Sequence, residues 1–280
     1  MRRVAVVIAA VLAIPAVAAA QGDCFPGTRS NEARTLANFA VPLAFSPGGA
    51  PELRPQLRIG VEAASVPGVS PATATPTVCR PGKGPENTDL LPVLPRPRLT
   101  LPVPGGVALQ LSWIPPVRVN GIRANLFGVS VAKSFGRQDR ILLAVRGHAT
   151  FGSVRAPITC DDKALADPSS ECSGGQRSDD RLRPNIYGAD VAFGFPLARG
   201  RLHPYLGGGY TRLRPRFQVH FVNQAGDLDQ RRVEVNLERV TVFGGATWSV
   251  TPGFGLTGEL YAAPADGVSG RVVFQLAVGR

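Results

Sequence analysis

Arg212-Leu213-Arg214-Pro215-Arg216-Phe217-Gln218-Val219-His220-Phe221 decides the reading of this chain. Leu213, Phe217, Val219 and Phe221 fall on one parity, and Arg212, Arg214, Arg216, Gln218 and His220 on the other. Successive side chains of a strand point to opposite faces, so this is a strand with one oily and one ionic face. The oily parity is expected to meet lipid or a second sheet, which makes Val219 a candidate exterior residue.

The same split recurs along the chain. Val107, Leu109, Leu111 and Trp113 oppose Ala108, Gln110 and Ser112; Ile141, Leu143 and Val145 oppose Arg140, Arg146 and His148. Tyr187, Ala189, Val191, Phe193 and Phe195 oppose Gly188, Asp190 and Gly194. These patterns place strands near 53–65, 95–103, 106–115, 121–135, 139–154, 184–196, 203–222, 231–249, 253–263 and 268–279. A soluble sandwich alternates too, but many of these strands reach the ~9 to 11 residues that cross a bilayer. Connections at Pro104-Gly105, Gly136 to Gln138, Leu197 to Leu202 and Thr251-Pro252 fall on one side. The long ones at 66–94, 155–183 and 223–230 fall on the other, with 116–120 and Pro264 to Gly267. Short inner turns and long outer loops are the habit of a transmembrane barrel. The fold expected is therefore all-β: a closed antiparallel transmembrane β-barrel of about ten strands, spanning 53–280.

Arg2 and Arg3 precede an apolar run from Val4 to Val17, and Ala18, Ala19 and Ala20 follow. That order reads as a signal peptide over 1–20 and predicts export. No later apolar stretch approaches the ~18 residues of a membrane-spanning helix. A membrane protein made from the remainder must be a closed barrel, because lipid offers no partner for backbone N–H and C=O groups. Residues 21–52 form an N-terminal segment in which Ser30 or Asn31 can cap a helix over 31–41. Cys24, Cys79, Cys160 and Cys172 are disulfide candidates in an exported chain. Cys160 and Cys172 share one outer loop. If Cys24 joins Cys79, the N-terminal segment must thread the lumen as a plug; otherwise it is a periplasmic helix.

The last strand alternates Val272, Phe274, Leu276 and Val278 against Arg271 and Gln275. In this the chain resembles the bacterial outer-membrane β-barrel superfamily, whose assembly machinery reads such a C-terminal strand. The chain closes on Val278, Gly279 and Arg280 where that family usually ends on an aromatic residue. Trp113, Trp248, Tyr187, Tyr205 and Tyr261 supply a partial aromatic girdle. The resemblance implies a bacterial outer-membrane location, with outer-membrane lipids, lipopolysaccharide and the barrel-assembly machinery as partners.

The lumen-lining candidates are Arg58, Glu62, Arg146, His148, Asp190, Arg212, Arg214, Arg216, Glu234, Glu238 and Glu259. They can form a salt-bridge network that seals a narrow barrel, with Arg214 and Arg216 facing Glu238 and Glu234 or their neighbours. Alternatively, Arg212, Arg214 and Arg216 can line an anion-attracting eyelet. The net charge is +11, or +9 without the two signal arginines. On an exported protein such a surplus points to anionic headgroups or a small anionic solute and away from nucleic acid.

A catalytic reading would use His220 with Asp179, Asp180, Asp227 or Asp229 at the outer rim, as in a rim protease or lipid hydrolase. The Asp-x-His pattern of such proteases is replaced by Gln218, Val219 and His220. Gly207, Gly208 and Gly209 lack the Lys and Ser or Thr of a phosphate loop and read as close packing in a strand. No second histidine stands at metal-ligand spacing from His148, His203 or His220. The expectation is a non-enzymatic barrel without metal or cofactor, serving a structural or loop-mediated contact role. A narrow channel for small anionic or amphipathic solutes is the alternative.

Overall fold

The structure is a computed structural model that describes residues 22–137, 140–223 and 226–279. The expected signal peptide lies outside the described residues. Ten strands form the wall: β1 (Arg58–Ser65), β2 (Val93–Val103), β3 (Val107–Ile114), β4 (Ile122–Gly136), β5 (Leu142–Ala156), β6 (Ile186–Gly194), β7 (Leu202–Leu213), β8 (Leu237–Thr251), β9 (Phe254–Ala263) and β10 (Gly267–Ala277). Each pairs antiparallel with its neighbours in sequence. The β10–β1 ladder, running from Arg271↔Ala64 to Ala277↔Arg58, closes the ring. Closure leaves the ring without an open edge strand, which an open sheet in lipid could not achieve.

The wall is inverted relative to a soluble protein. Leu206, Val240 and Leu260 are at least 60% exposed, while Glu62, Arg96, Arg98, Arg146 and Arg271 are almost fully buried inside. An exterior of this kind requires a bilayer. Pro95 and Pro97 occur in β2 beyond the last β2–β3 pair, Arg98↔Ser112, where β2 keeps one neighbour. That is where a sheet tolerates a residue without N–H. In β7 the inward Gly207 and Gly209 leave no room for a Cβ, which would fall 2.5 Å from the Phe243 ring and 2.3 Å from Ala189 O respectively. The glycine run is close packing.

The long connections share one end of the barrel, taken as extracellular. There the wall continues as an arm. Asp180–Arg183 pairs with the outer end of β5, Arg216–Gln218 with that segment, and Arg232–Glu234 with Arg216–Gln218. Asp23–Cys24 adds in parallel to Arg232–Glu234. Beneath the arm lies an apolar core that includes Leu36, Phe39, Ile158, Phe217, Val219 and Val233.

This arm corrects the facing of the stretch that identified the strands. Leu213, Phe217, Val219 and Phe221 point inward and are buried, Val219 completely. Arg212 and Arg214 point outward. The segment stands above the bilayer, where water bathes the outside, so the oily face turns in. Tyr205 and Tyr261 likewise leave the expected girdle and lie buried in the lumen.

Candidate functional site

The lumen is occupied by the chain's own N-terminal segment. Its helix, α1 (Asn31–Leu43), begins where the Ser30 side chain accepts from Ala33 N at 3.1 Å. Nearly all of α1 is buried. The Cys24–Cys79 disulfide ties the segment to loop 66–92, and Cys160–Cys172 braces loop 157–185. Glu32, in the first turn of α1, accepts from Thr77 N at 2.9 Å, Val78 N at 2.7 Å and Cys79 N at 2.8 Å. Burial alone would raise its pKa, but these donors outweigh burial and hold it below the ordinary carboxylate range. The outer part of the plug segment is thus held to the loop covalently at Cys24 and by charge-assisted hydrogen bonds at Glu32.

The other end of α1 meets arginines of the wall. Arg271 donates to Val41 O and Ala44 O, both at 2.8 Å. Arg96 donates to Pro42 O at 3.2 Å and Leu43 O at 3.0 Å. Arg146 reaches Phe45 O at 2.8 Å, and Arg98 reaches Ser46 O at 2.8 Å and Pro47 O at 3.0 Å. Every carbonyl from Val41 to Pro47 is therefore held by one of four barrel arginines. The final carbonyls of a helix lack internal partners and carry its negative dipole end, and α1 has no basic residue of its own in its last turn. The wall supplies both the donors and the charge. Phe45 packs under Arg98, 4.4 Å from its ring centroid, in space left by Gly128.

Acids balance these cations. Glu62 pairs with Arg98 and lies 3.6 Å from Arg271; Asp190 lies 2.5 Å from Arg146 and 3.6 Å from His148. Glu259 accepts from Tyr205 Oη at 2.8 Å and from Gly48 N at 3.2 Å. Buried charges persist only when paired and hydrogen-bonded, and here the plug backbone completes the network. Toward the inner mouth a cavity of about 80 Å³ remains beside Gly49, Ala50 and Pro51. It has room for a few water molecules.

Of the lumen candidates, Glu62, Arg146, His148, Asp190 and Glu259 lie inside together. Arg58 stands at the inner mouth, 2.5 Å from Glu52 of the plug segment. The remaining five sit outside the lumen, above the bilayer. Arg212 pairs with Glu238 at 2.8 Å and Arg216 with Glu234 at 3.0 Å, while Arg214 stacks on Tyr187. The structure brings no eyelet of Arg212, Arg214 and Arg216 together. Sequence reasoning missed Arg96 and Arg98 in the proline-broken β2, and passed over Arg271 although it opposes Val272. Leu94, Arg96 and Arg98 on one parity were the available signal.

At the rim, His220 meets Asp180 through its backbone N–H, at 2.8 Å, and not through its ring. The Asp180 carboxylate is used by Ile158 N, Thr159 N and Ser178 Oγ as well. That is a structural acid, not a general base. Among the described residues no group of His, Cys, Asp and Glu could hold a metal ion. Between loops 66–92 and 157–185 opens a polar crevice of about 1010 Å³, lined by Arg80, Lys83, Lys163, Arg231, Asp161 and Asp167 among others.

No protein-family model and no curated protein matches the chain. Solved structures do. The attachment invasion locus protein Ail of Yersinia pestis matches at 11% identity over 79% of this chain and 95% of that one, with a TM-score of 0.32. Neisserial surface protein A matches at 13% over 81% and 100%, TM-score 0.30. The toluene transporter TodX of Pseudomonas putida matches at 8% over 88% and 72%, TM-score 0.34. The assignment rests on the closed, lipid-facing sheet of this chain and not on these likenesses. By its fold the chain is a closed membrane-spanning β-barrel, ten antiparallel strands around its own N-terminal segment.

Proposed function

We propose that this protein is a sealed surface barrel, anchored in the outer membrane and making its contacts through disulfide-braced outer loops, with no catalytic role. One observation carries the reading: four wall arginines hold seven consecutive plug carbonyls. Withdrawing the plug would strip those buried guanidinium groups of their carbonyl acceptors, leaving charged donors only partly satisfied by Glu62 and Asp190. The plug is also tied at both ends, to Cys79 above and to β1 below. The outer crevice supplies a surface for a partner of mixed charge. Surrounding lipids and the machinery that folds such barrels are the other partners under this reading.

Planar-bilayer conductance tests it. The intact chain is expected to give no channel steps, whereas a chain lacking residues 22–52 gives steady ones. Stepwise conductance from the intact protein would favour a plug-gated channel for small anionic solutes.

A further inference from the structure

The registers at the outer end of the wall put arginine beside arginine. Arg118 pairs with Arg123, Arg123 with Arg155, and Arg155 with Arg181; Arg181 pairs with Gln218, and Gln218 with Arg232. Their neighbours Val154, Leu182, Phe217 and Val233 are buried against the outer core, so the row faces outward. Arg183 adds a further outward cation beside Arg216. The facing acids are few: Asp23 stands opposite Arg232 in the parallel register and ends the row, Asp179 lies 2.6 Å from Arg155 and Glu234 lies 3.0 Å from Arg216. Among the described residues no acid lies within ion-pair distance of Arg118, Arg123, Arg181, Arg183 or Arg232.

Like charges directly opposite across strands are destabilising. Burial, with Arg183 and Arg155 close by, pushes the Arg181 guanidinium below its ordinary value. A row of this kind needs counter-charge from its surroundings, and its height says which surroundings. Four residues nearer the barrel centre, the Phe127–Phe151 pair joins Trp113 in a stacked exterior ladder with centroids 5.9 Å apart at each step. Such aromatic rows mark the bilayer interface. Four strand residues span about 13 Å, less when tilted, which lifts the arginines to the level of the headgroups.

We propose that the row Arg118, Arg123, Arg155, Arg181 and Arg232 docks the phosphate groups of an anionic outer-leaflet lipid, fixing the barrel's depth and one preferred lipid-facing side. This rests on the membrane-spanning fold and is independent of whether the lumen is sealed.

The test follows thermal unfolding of the intact chain, by its heat-dependent gel mobility, in zwitterionic micelles with added diphosphoryl lipid A, dephosphorylated lipid A or inorganic phosphate. Diphosphoryl lipid A is expected to raise the midpoint, and the other two to leave it in place at matched concentration. The triple variant Arg123→Gln, Arg181→Gln, Arg232→Gln is expected to be as stable as the parent in plain micelles, because repulsion is relieved. Its affinity for diphosphoryl lipid A should fall on the order of a hundredfold, each headgroup contact being worth roughly a factor of five. Arg201→Gln, at the inner end, should keep the full response. A triple variant that retains the gain, or a parent that gains equally from dephosphorylated lipid A or free phosphate, overturns the proposal.

Discussion

Glu86 hangs its carboxylate beneath the outer loops, 2.7 Å from Lys83 Nζ and 3.8 Å from Arg80 Nη1. Burial nevertheless pushes its pKa up to about 7, against the pull of Lys83 and Arg80. Asp180 is raised as well, by burial that outweighs its donors. A carboxyl whose pKa is higher folded than unfolded keeps its proton in the native state after the unfolded chain has lost it. Its contribution is complete below the unfolded value and fades as pH rises through the folded one. The outer loops should therefore lose stability between about pH 5 and pH 8, at up to roughly 1.4 kcal/mol per unit for one group. Urea unfolding read by proteolytic nicking of loop 66–92 measures this. Glu86→Gln should flatten most of the slope, and an unchanged slope would show that the buried carboxyl is not its source.

At the scale of elements, the plug combines two kinds of hold. Its outer end is fixed by Glu32 and by a disulfide that spans 55 residues, worth about 4 kcal/mol by loop entropy and typically 2–4 in measurement. Its inner end is fixed by the arginine grip on Val41 to Pro47. Cys24→Ser should accordingly lower stability by about 2–4 kcal/mol in heat- or urea-driven unfolding. It should leave planar-bilayer conductance at zero, because the arginines still close the lumen. Channel opening in this variant would transfer the seal from the arginines to the disulfide. The helix itself was legible from Ser30 and the residues after it. Its place in the lumen was open between plug and periplasmic helix, since capping says where a helix starts and nothing about what surrounds it.

Across the whole molecule, one wall meets two solvents. Val242, mid-wall on β8, is 45% exposed toward lipid, whereas Val219, on the arm, is completely buried. Val242→Arg should cost assembly about 2–4 kcal/mol as a charge near the bilayer midplane. Arg214→Ala, on the wet exterior, should change stability by no more than about 0.5 kcal/mol. The heat-modifiable fraction after refolding into vesicles reads both, and equal tolerance would refute the assignment of faces.

The sequence by itself determined the wall strands to within a few residues, their order, which connections share an end of the barrel and the disulfide-bearing loops, because period-two alternation and turn residues are local properties. It also marked Glu62, Arg146, Asp190 and Glu259 as inward. Which parity points inward along β7 and its arm was decided only by the tertiary structure. Leu206 faces lipid and Leu213 faces the core on opposite parities of one continuous strand. Alternation states that two faces exist, and the surrounding medium chooses between them: lipid draws the oily face outward, and water above the bilayer drives it in. The gripping of Val41 to Pro47 by Arg96, Arg98, Arg146 and Arg271 lies beyond local pattern for the same reason. Those arginines come from three separate parts of the chain and meet the plug backbone only when the barrel closes around it.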